Sequence, residues 1–383
     1  MNRRLSLSLL GALVSGLASA PLFAQAQEVV IGVTVSATGP GASLGIPEKN
    51  TVEMLPKTVG GLPARYVVYD DATDPTVATR NARRLVDEDK ADVIVGSSTT
   101  PAGLAIAEVA ADSKTAQIAL SPLGVSEKQF PWVFSMPQPI SVMAVAIVEN
   151  MVAKGVKTIG FIGYTDAYGE SWLKAMEAAV KNTNIKLTAT ERYARNDTSV
   201  TAQALKVTSA APDAVLIAGS GTPSALPMIA LRDRGYKGQI YQTHGSANSD
   251  FLRVAGKSGE GVILPTGPVL VADQLPDSHP SKAVGLAYLS GYEGKYGAGS
   301  RNTFGAHARD AYLVLDKAVA VAATKAKPGT AEFRSALRDA IEGTKNLAVT
   351  HGVMTMSPTD HTGFDARSRV LISVKNDGWV LVK

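Results

Sequence analysis

Short runs of consecutive apolar, often β-branched residues alternate along this chain with longer stretches of helical spacing. Val30 to Val35, Ala64 to Tyr69, Asp92 to Val95 and Gln117 to Leu120 read as strands. Pro75 to Asp89 and Ala102 to Ser113 lie between them with helical spacing, and Asp74-Pro75 has the form of an N-cap followed by proline at the first helical position. A second series follows. Its strands are Lys157 to Gly163, Ala214 to Gly219, Gln239 to Gln242 and Gly261 to Leu264, separated by helical stretches near Gly169 to Lys181, Thr198 to Ser209 and Pro223 to Arg234. Strands that are apolar throughout and alternate with helices predict α/β lobes with parallel sheets covered on both faces.

The series break at the proline-containing segments Phe134 to Ile140 and Leu264 to Pro268. After them come helical patterns over Ser281 to Tyr296, Phe304 to Ala323 and Ala331 to Ile341, then apolar runs at Leu371 to Val374 and Trp379 to Val382. The last runs have no partner series, so they are expected to rejoin an existing sheet. With a third crossing near His351 to Met356, the expected lobes are 27–135 plus 269–350 and 136–268 plus 351–383, joined by a three-segment hinge. Pro47 and Pro56 bracket Glu48 to Leu55, so a helix there is expected to be short or broken.

The N-terminus changes the setting. Arg3-Arg4, an apolar run from Leu5 to Ala20 and the A-x-A sequence Ala24-Gln25-Ala26 have the order of a cleavable signal peptide, residues 1–26. A location outside the cytoplasm, in the periplasm, is expected. Loss of Arg3 and Arg4 leaves 36 basic against 34 acidic residues, a balance that argues against a nucleic-acid partner. The chain has no cysteine, which excludes disulfides, thiolate metal sites and a lipidated N-terminal cysteine.

Catalytic chemistry is hard to find, and no enzyme, metal or cofactor is expected. No two of His244, His279, His307, His351 and His361 have the close spacing of a helical zinc site. Gly256-Lys257-Ser258 imitates the end of a phosphate loop, but Phe251 stands where that motif needs glycine, so a helix C-cap and turn is expected. Asp70-Asp71 at a strand end reads as a turn former and cap.

Several signatures in order resemble the type I periplasmic substrate-binding proteins of ABC transporters, the group of the leucine/isoleucine/valine-binding proteins. They are Thr38-Gly39-Pro40 after the first strand, Gly60-Gly61-Leu62-Pro63 running to Val68-Tyr69-Asp70-Asp71 and Asp74-Pro75, the hydroxyl-rich Ser97-Ser98-Thr99-Thr100-Pro101, and Tyr168-Gly169 before a helix. The resemblance runs from Glu28 to the C-terminus and implies two Rossmann-like lobes closing on a ligand. It implies that Ser97, Ser98 and Thr99 hold a carboxylate with the helix N-terminus behind them. The alternative is an ordinary N-cap at Thr99 or Thr100. It further assigns ligand contacts to Leu44 on the first loop, to Leu123 and Gly124, to Tyr168 closing from the second lobe, and to Phe304, which could equally be core.

His244 departs from the pattern, because the amino-acid binders of this group carry an acid there to pair the ligand ammonium. Burying an ammonium without an anion costs several kcal/mol. A ligand without ammonium is therefore expected, with imidazole donating to its oxygen; the alternative is a structural histidine. Gly221 stands where a tyrosine is frequent, which leaves room for a bulkier ligand. Both changes resemble the subgroup that takes up aromatic acids. The expected function is a transport receptor for a small carboxylate, monomeric, delivering to inner-membrane ABC permease subunits. An amino-acid receptor and a ligand-sensing partner of a signalling system are the alternatives.

Overall fold

The computed structural model describes residues 28–382; the expected signal segment, 1–26, lies outside them. The first sheet is built from β1 (Val29–Val35), β2 (Thr58–Val59), β3 (Leu62–Asp70), β4 (Val93–Gly96), β5 (Gln117–Ala119) and β6 (Val133–Ser135). Their order is β2-β3-β1-β4-β5-β6, parallel except for the short β2–β3 pair. Every residue of β1 is buried, as a central parallel strand requires.

The second sheet contains β7 (Thr158–Tyr164), β8 (Lys186–Tyr193), β9 (Ala214–Ala218), β10 (Gln239–Gln242) and β11 (Ile263–Thr266). After the small hairpin of β12 (Leu347–Val349) and β13 (Gly352–Met354), the chain adds β14 (Val370–Lys375) and β15 (Gly378–Leu381) to this sheet. The order is β15-β14-β11-β10-β9-β7-β8, with β14 antiparallel to β11 and β15 antiparallel to β14. The terminal apolar runs thus rejoin an existing sheet.

Helices α1 (Ala42–Val52), α2 (Pro75–Asp87), α3 (Thr100–Ser113), α4 (Ile140–Ala153), α5 (Ala167–Val180), α6 (Thr201–Ser209), α7 (Ala225–Asp233), α8 (Ser249–Ala255), α9 (Lys282–Tyr296), α10 (Thr303–Ala322) and α11 (Ala331–Glu342) cover the sheets. One face of the first sheet packs Ile31 and Val33 on Leu315 and Phe333 of α10 and α11; the other packs Val30 and Ile94 with Leu85 and Ile106 of α2 and α3. Tyr288, Leu289 and Tyr292 of α9 share the apolar cluster of the second sheet. The Asp74 carboxylate accepts from the Thr76 and Val77 N–H groups, capping α2. Gly256 is the C-cap of α8.

Helix α1 is short, ending at Val52 before Pro56, but it is not broken at Pro47. It starts at Ala42 and runs through Pro47. Proline lacks only the N–H that would reach the Ser43 carbonyl, and buried Ser43, Leu44, Thr51 and Val52 hold the helix in place.

Both sheets have a switch point. The chain places β3 on one side of β1 and β4 on the other; it places β8 on one side of β7 and β9 on the other. Ligand crevices in open α/β sheets lie beyond the carboxyl ends of strands at such points.

Candidate functional site

The segments that leave the carboxyl ends of these strands converge on one small cavity. From the first sheet come Leu44 on α1, Ser98, Thr99 and Thr100 after β4, and Leu120, Ser121 and Pro122 after β5. From the second come Tyr168 after β7, Arg195 after β8, Ser220 after β9, and His244 and Gly245 after β10. Phe304 and His307, one turn apart at the start of α10, complete the wall with Pro137. The space enclosed is about 20 Å³, close to the room one water needs.

The wall from the first sheet is internally bonded. Ser97 Oγ donates to Asp71 at 2.6 Å, and Asp71 also accepts from Ser36 Oγ at 2.7 Å and Thr34 Oγ1 at 3.2 Å. Ser98 Oγ donates to the buried Glu48 carboxyl and accepts from the Ser36 N–H at 2.9 Å. Thr100 donates to the Pro122 carbonyl, and Ser121 to that of Ser97. Burial raises the pKa values of Glu48 and Asp71, with these hydroxyl bonds opposing the rise. Thr99 is the exception. It is the N-cap of α3, yet its side chain makes no cap bond and its buried Oγ1 has no partner.

The opposite wall is unfinished. Arg195 holds Asp166 at 2.5 Å and Ser220 Oγ at 2.8 Å, and its guanidinium lies 4.2 Å from the Tyr164 ring centroid. Both ring nitrogens of His244 and both of His307 are buried without partners. Burial, reinforced by neighbouring His351, pushes the His244 pKa down to about 3; burial and the two other imidazoles hold His307 far below its ordinary value. Both rings are therefore neutral. His307 stacks at 4.2 Å on His351, whose Nδ1 lies 2.8 Å from Asp310 and whose Nε2 lies 2.7 Å from Thr303 Oγ1. The Tyr168 hydroxyl donates to Thr243 Oγ1 at 2.9 Å, which leaves its ring as wall.

Of the residues singled out in the sequence, Leu44, Ser98, Thr99, Tyr168, His244 and Phe304 line this cavity. Ser97 lies behind it, on Asp71. Leu123 and Gly124 line a neighbouring depression of about 190 Å³ that shares Pro122 and Pro137. Gly221 faces the other half of the molecule: a Cβ there would stand 2.6 Å from Leu44 Cδ1 and Ser43 Oγ. The Thr222 N–H donates to Ser43 Oγ across the same junction at 3.1 Å. The room that glycine leaves is filled by α1 in this arrangement.

Arg195 and His307 were not foreseen as lining residues. Arg195 follows β8, whose alternating exposure gives no continuous apolar run. His307 sits one helical turn from Phe304, and that i, i+3 spacing is the signal that could have found it. Among the described residues, no group of three or more His, Cys, Asp or Glu side chains is placed to hold a metal ion.

A family model described as "Periplasmic binding protein" matches residues 28–374. An extracellular ligand-binding receptor of known structure from Rhodopseudomonas palustris is 48% identical, with a TM-score of 0.92, covering 94% of this chain and 100% of that one. A Pseudomonas aeruginosa protein named "Amino acid binding protein" is 27% identical over 64% of this chain and 69% of its own length. An ABC transporter solute-binding protein from R. palustris BisB5, solved with 3,4-dihydroxy benzoic acid, has a TM-score of 0.78 at 19% identity, covering 92% of this chain and 95% of that one. At that identity the likeness speaks for the fold alone.

Proposed function

Since the chain belongs to the periplasmic binding protein family, whose members are solute-binding receptors rather than enzymes, we propose that it is the receptor of an ABC importer for a small aromatic carboxylate. Family membership implies a periplasmic location; export through cleavage after Ala26 is part of the proposal.

One observation carries the ligand class: none of the residues lining the cavity is acidic. Asp166 is engaged by Arg195, and Glu48 is turned to Ser98 behind the wall. An amino-acid ammonium would be buried without an anion, at a cost of several kcal/mol. A carboxylate, by contrast, meets the uncapped start of α3, the free Thr99 hydroxyl and the Arg195 guanidinium. Tyr168, Phe304, Leu44 and Leu120 offer rings and aliphatic surface to a flat apolar body.

A benzoate is much larger than a 20 Å³ cavity, so the walls must part to admit it. The proposed lobes, 27–135 plus 269–350 and 136–268 plus 351–383, supply one wall each, with α9 at the seam. Ligand contacts made by both lobes together then favour the closed arrangement.

A thermal-shift screen of benzoate, phenylpropenoates and leucine tests the reading. A ligand at 100 times its Kd adds about 2.7 kcal/mol of stability. Stabilisation by aromatic acids is expected. Tight binding of leucine with no response to any aromatic acid overturns it.

A further inference from the structure

The four unpartnered imidazole nitrogens constrain the ligand further. A neutral imidazole always presents one N–H donor and one bare nitrogen acceptor. His244 and His307 line the cavity with both nitrogens buried and unbonded, so two donors and two acceptors are left for what occupies the cavity, ligand or water; the Trp172 N–H beside His244 is unpartnered too. A carboxylate accepts and cannot donate. Its oxygens can receive the two imidazole N–H groups, Thr99 and Arg195, but they leave both bare nitrogens unmatched. A buried acceptor left without a donor carries its full desolvation cost.

From this, and resting on the carboxylate reading above, we infer that the ligand carries a hydroxyl group besides its carboxylate, and that His307 and His244 are the residues that read it. The hydroxyl donates to one of the two bare imidazole nitrogens and can accept from the N–H of the other ring; the second bare nitrogen is left to a water or a further hydroxyl. His307 is fixed for this role. Its stacking partner His351 is pinned by Asp310 on Nδ1, and Nε2 faces the Thr303 hydroxyl. The Asp310 carboxylate can only accept, so His351 carries a proton on Nδ1, and its Nε2 is engaged by Thr303. That ring cannot exchange partners with His307, whose nitrogens stay available to the cavity. His244 is packed beside Tyr168 and Trp172, at centroid distances of 6.1 and 5.6 Å, and is hydrogen-bonded to neither.

A second way to fill an imidazole acceptor is a proton taken up with a plain carboxylate. The two are separable. Calorimetric titration of the full-length mature protein should use matched acids: benzoate, its 3- and 4-hydroxy derivatives and 4-methoxybenzoate. An aliphatic pair, 4-methylpentanoate and its 2-hydroxy derivative, and leucine complete the panel. At least one hydroxylated acid is expected to bind about 10- to 100-fold more tightly than its unsubstituted partner, because sites built to bond a hydroxyl reject analogues lacking it. The methoxy acid, which cannot donate, should gain nothing. In His307→Phe the hydroxyl preference should shrink below about threefold whatever the absolute affinity. His244→Phe gives the same readout independently, and the wild-type panel decides alone if neither variant folds.

Equal binding of hydroxylated and plain acids in every pair overturns the inference and leaves the carboxylate reading standing. So does uptake of about one proton with benzoate, read from titrations in buffers of different ionisation heat. Binding of leucine with no response to any other acid overturns both.

Discussion

The two walls of the cavity are built from the same kind of place, the carboxyl ends of parallel strands, and they differ in how far their polar groups are already engaged. On the first wall Ser97, Ser98, Thr100 and Ser121 all donate inward, to Asp71, Glu48 and two carbonyls. On the second, His244 has no partner, nor does His307 on α10, which packs on the first sheet. A hydroxyl count would name the first wall as the ligand-reading surface. The hydrogen-bond accounting names His244 on the second wall, with His307 on α10, Thr99 and the start of α3 on the side of the first sheet. A group bonded within the protein shapes a site; an unbonded buried one asks for a ligand.

The largest expected effect comes from breaking the cation of the second wall. In Arg195→Met, Asp166 loses its partner in a pair that is 13% and 21% exposed. Removing one member of a fully buried pair costs about 3–5 kcal/mol; with this exposure about 2–3 kcal/mol is expected, read from urea unfolding. Aromatic-acid binding should be lost in calorimetry. A variant that keeps both stability and affinity would return the reading role to the first wall.

Acid should strike the second wall next. The folded His244 pKa is depressed to about 3, so its stabilising share is complete above the unfolded value near 6.5 and is lost as pH falls through the folded one. Between pH 6.5 and 4.5 the wild type should lose about 2–3 kcal/mol more than His244→Asn, at about 1.4 kcal/mol per pH unit. Glu48 and Asp71 act with the opposite sign, since their raised values make their share largest at low pH and lost as pH rises. The difference between wild type and variant cancels them. Parallel unfolding curves for the two proteins from pH 6.5 to 4.5 would show that His244 is not buried in neutral form.

The junction between the walls is expected to respond a little less. Gly221 has φ +64°, and a Cβ would meet Leu44 and Ser43. Through this crowding, Gly221→Ala should cost the closed arrangement about 1–2 kcal/mol, which weakens ligand binding by roughly tenfold. Scattering at a fixed ligand concentration should show a larger radius of gyration than wild type. An unchanged affinity would mean that Gly221 does not govern closure.

The smallest effects sharpen the comparison most directly. Ser98→Ala removes a donor from buried Glu48 and should lower stability by about 1 kcal/mol with little change in affinity. Thr99→Val should leave stability nearly unchanged and weaken carboxylate binding by about 1 kcal/mol. If the two variants exchange these signatures, the walls have been assigned the wrong way round.

Much of the fold was legible because central parallel strands cannot hide: β1, β4 and β9 are almost wholly apolar and entirely buried. The edge strand β8 alternates half-buried and exposed residues and carries Lys186, Glu191 and Arg192, so it left no apolar run to read. Missing β8 meant missing Arg195, two residues past its end. His244 stood out by type against a family pattern, whereas the engagement of Ser97 and Ser98 depends on Asp71 and Glu48, distant in sequence and brought near only by the sheet and α1. Which hydroxyls are free is a tertiary fact. Helix α1 passing through Pro47 has the same origin, since its buried face holds it.

Trp172 gives the second wall an optical voice. It is one of three tryptophans in the chain, has no exposure to solvent, and packs 5.6 Å from His244 and 6.5 Å from Tyr168. Trp132 lies in the turn just before the edge strand β6, and Trp379 in the edge strand β15. When the imidazole beside Trp172 gains a hydrogen bond or a charge, the electric field across the indole changes while the other two rings keep their surroundings. The emission of the protein therefore follows the state of His244, and occupancy of the site can be read in unlabelled protein, one photon at a time.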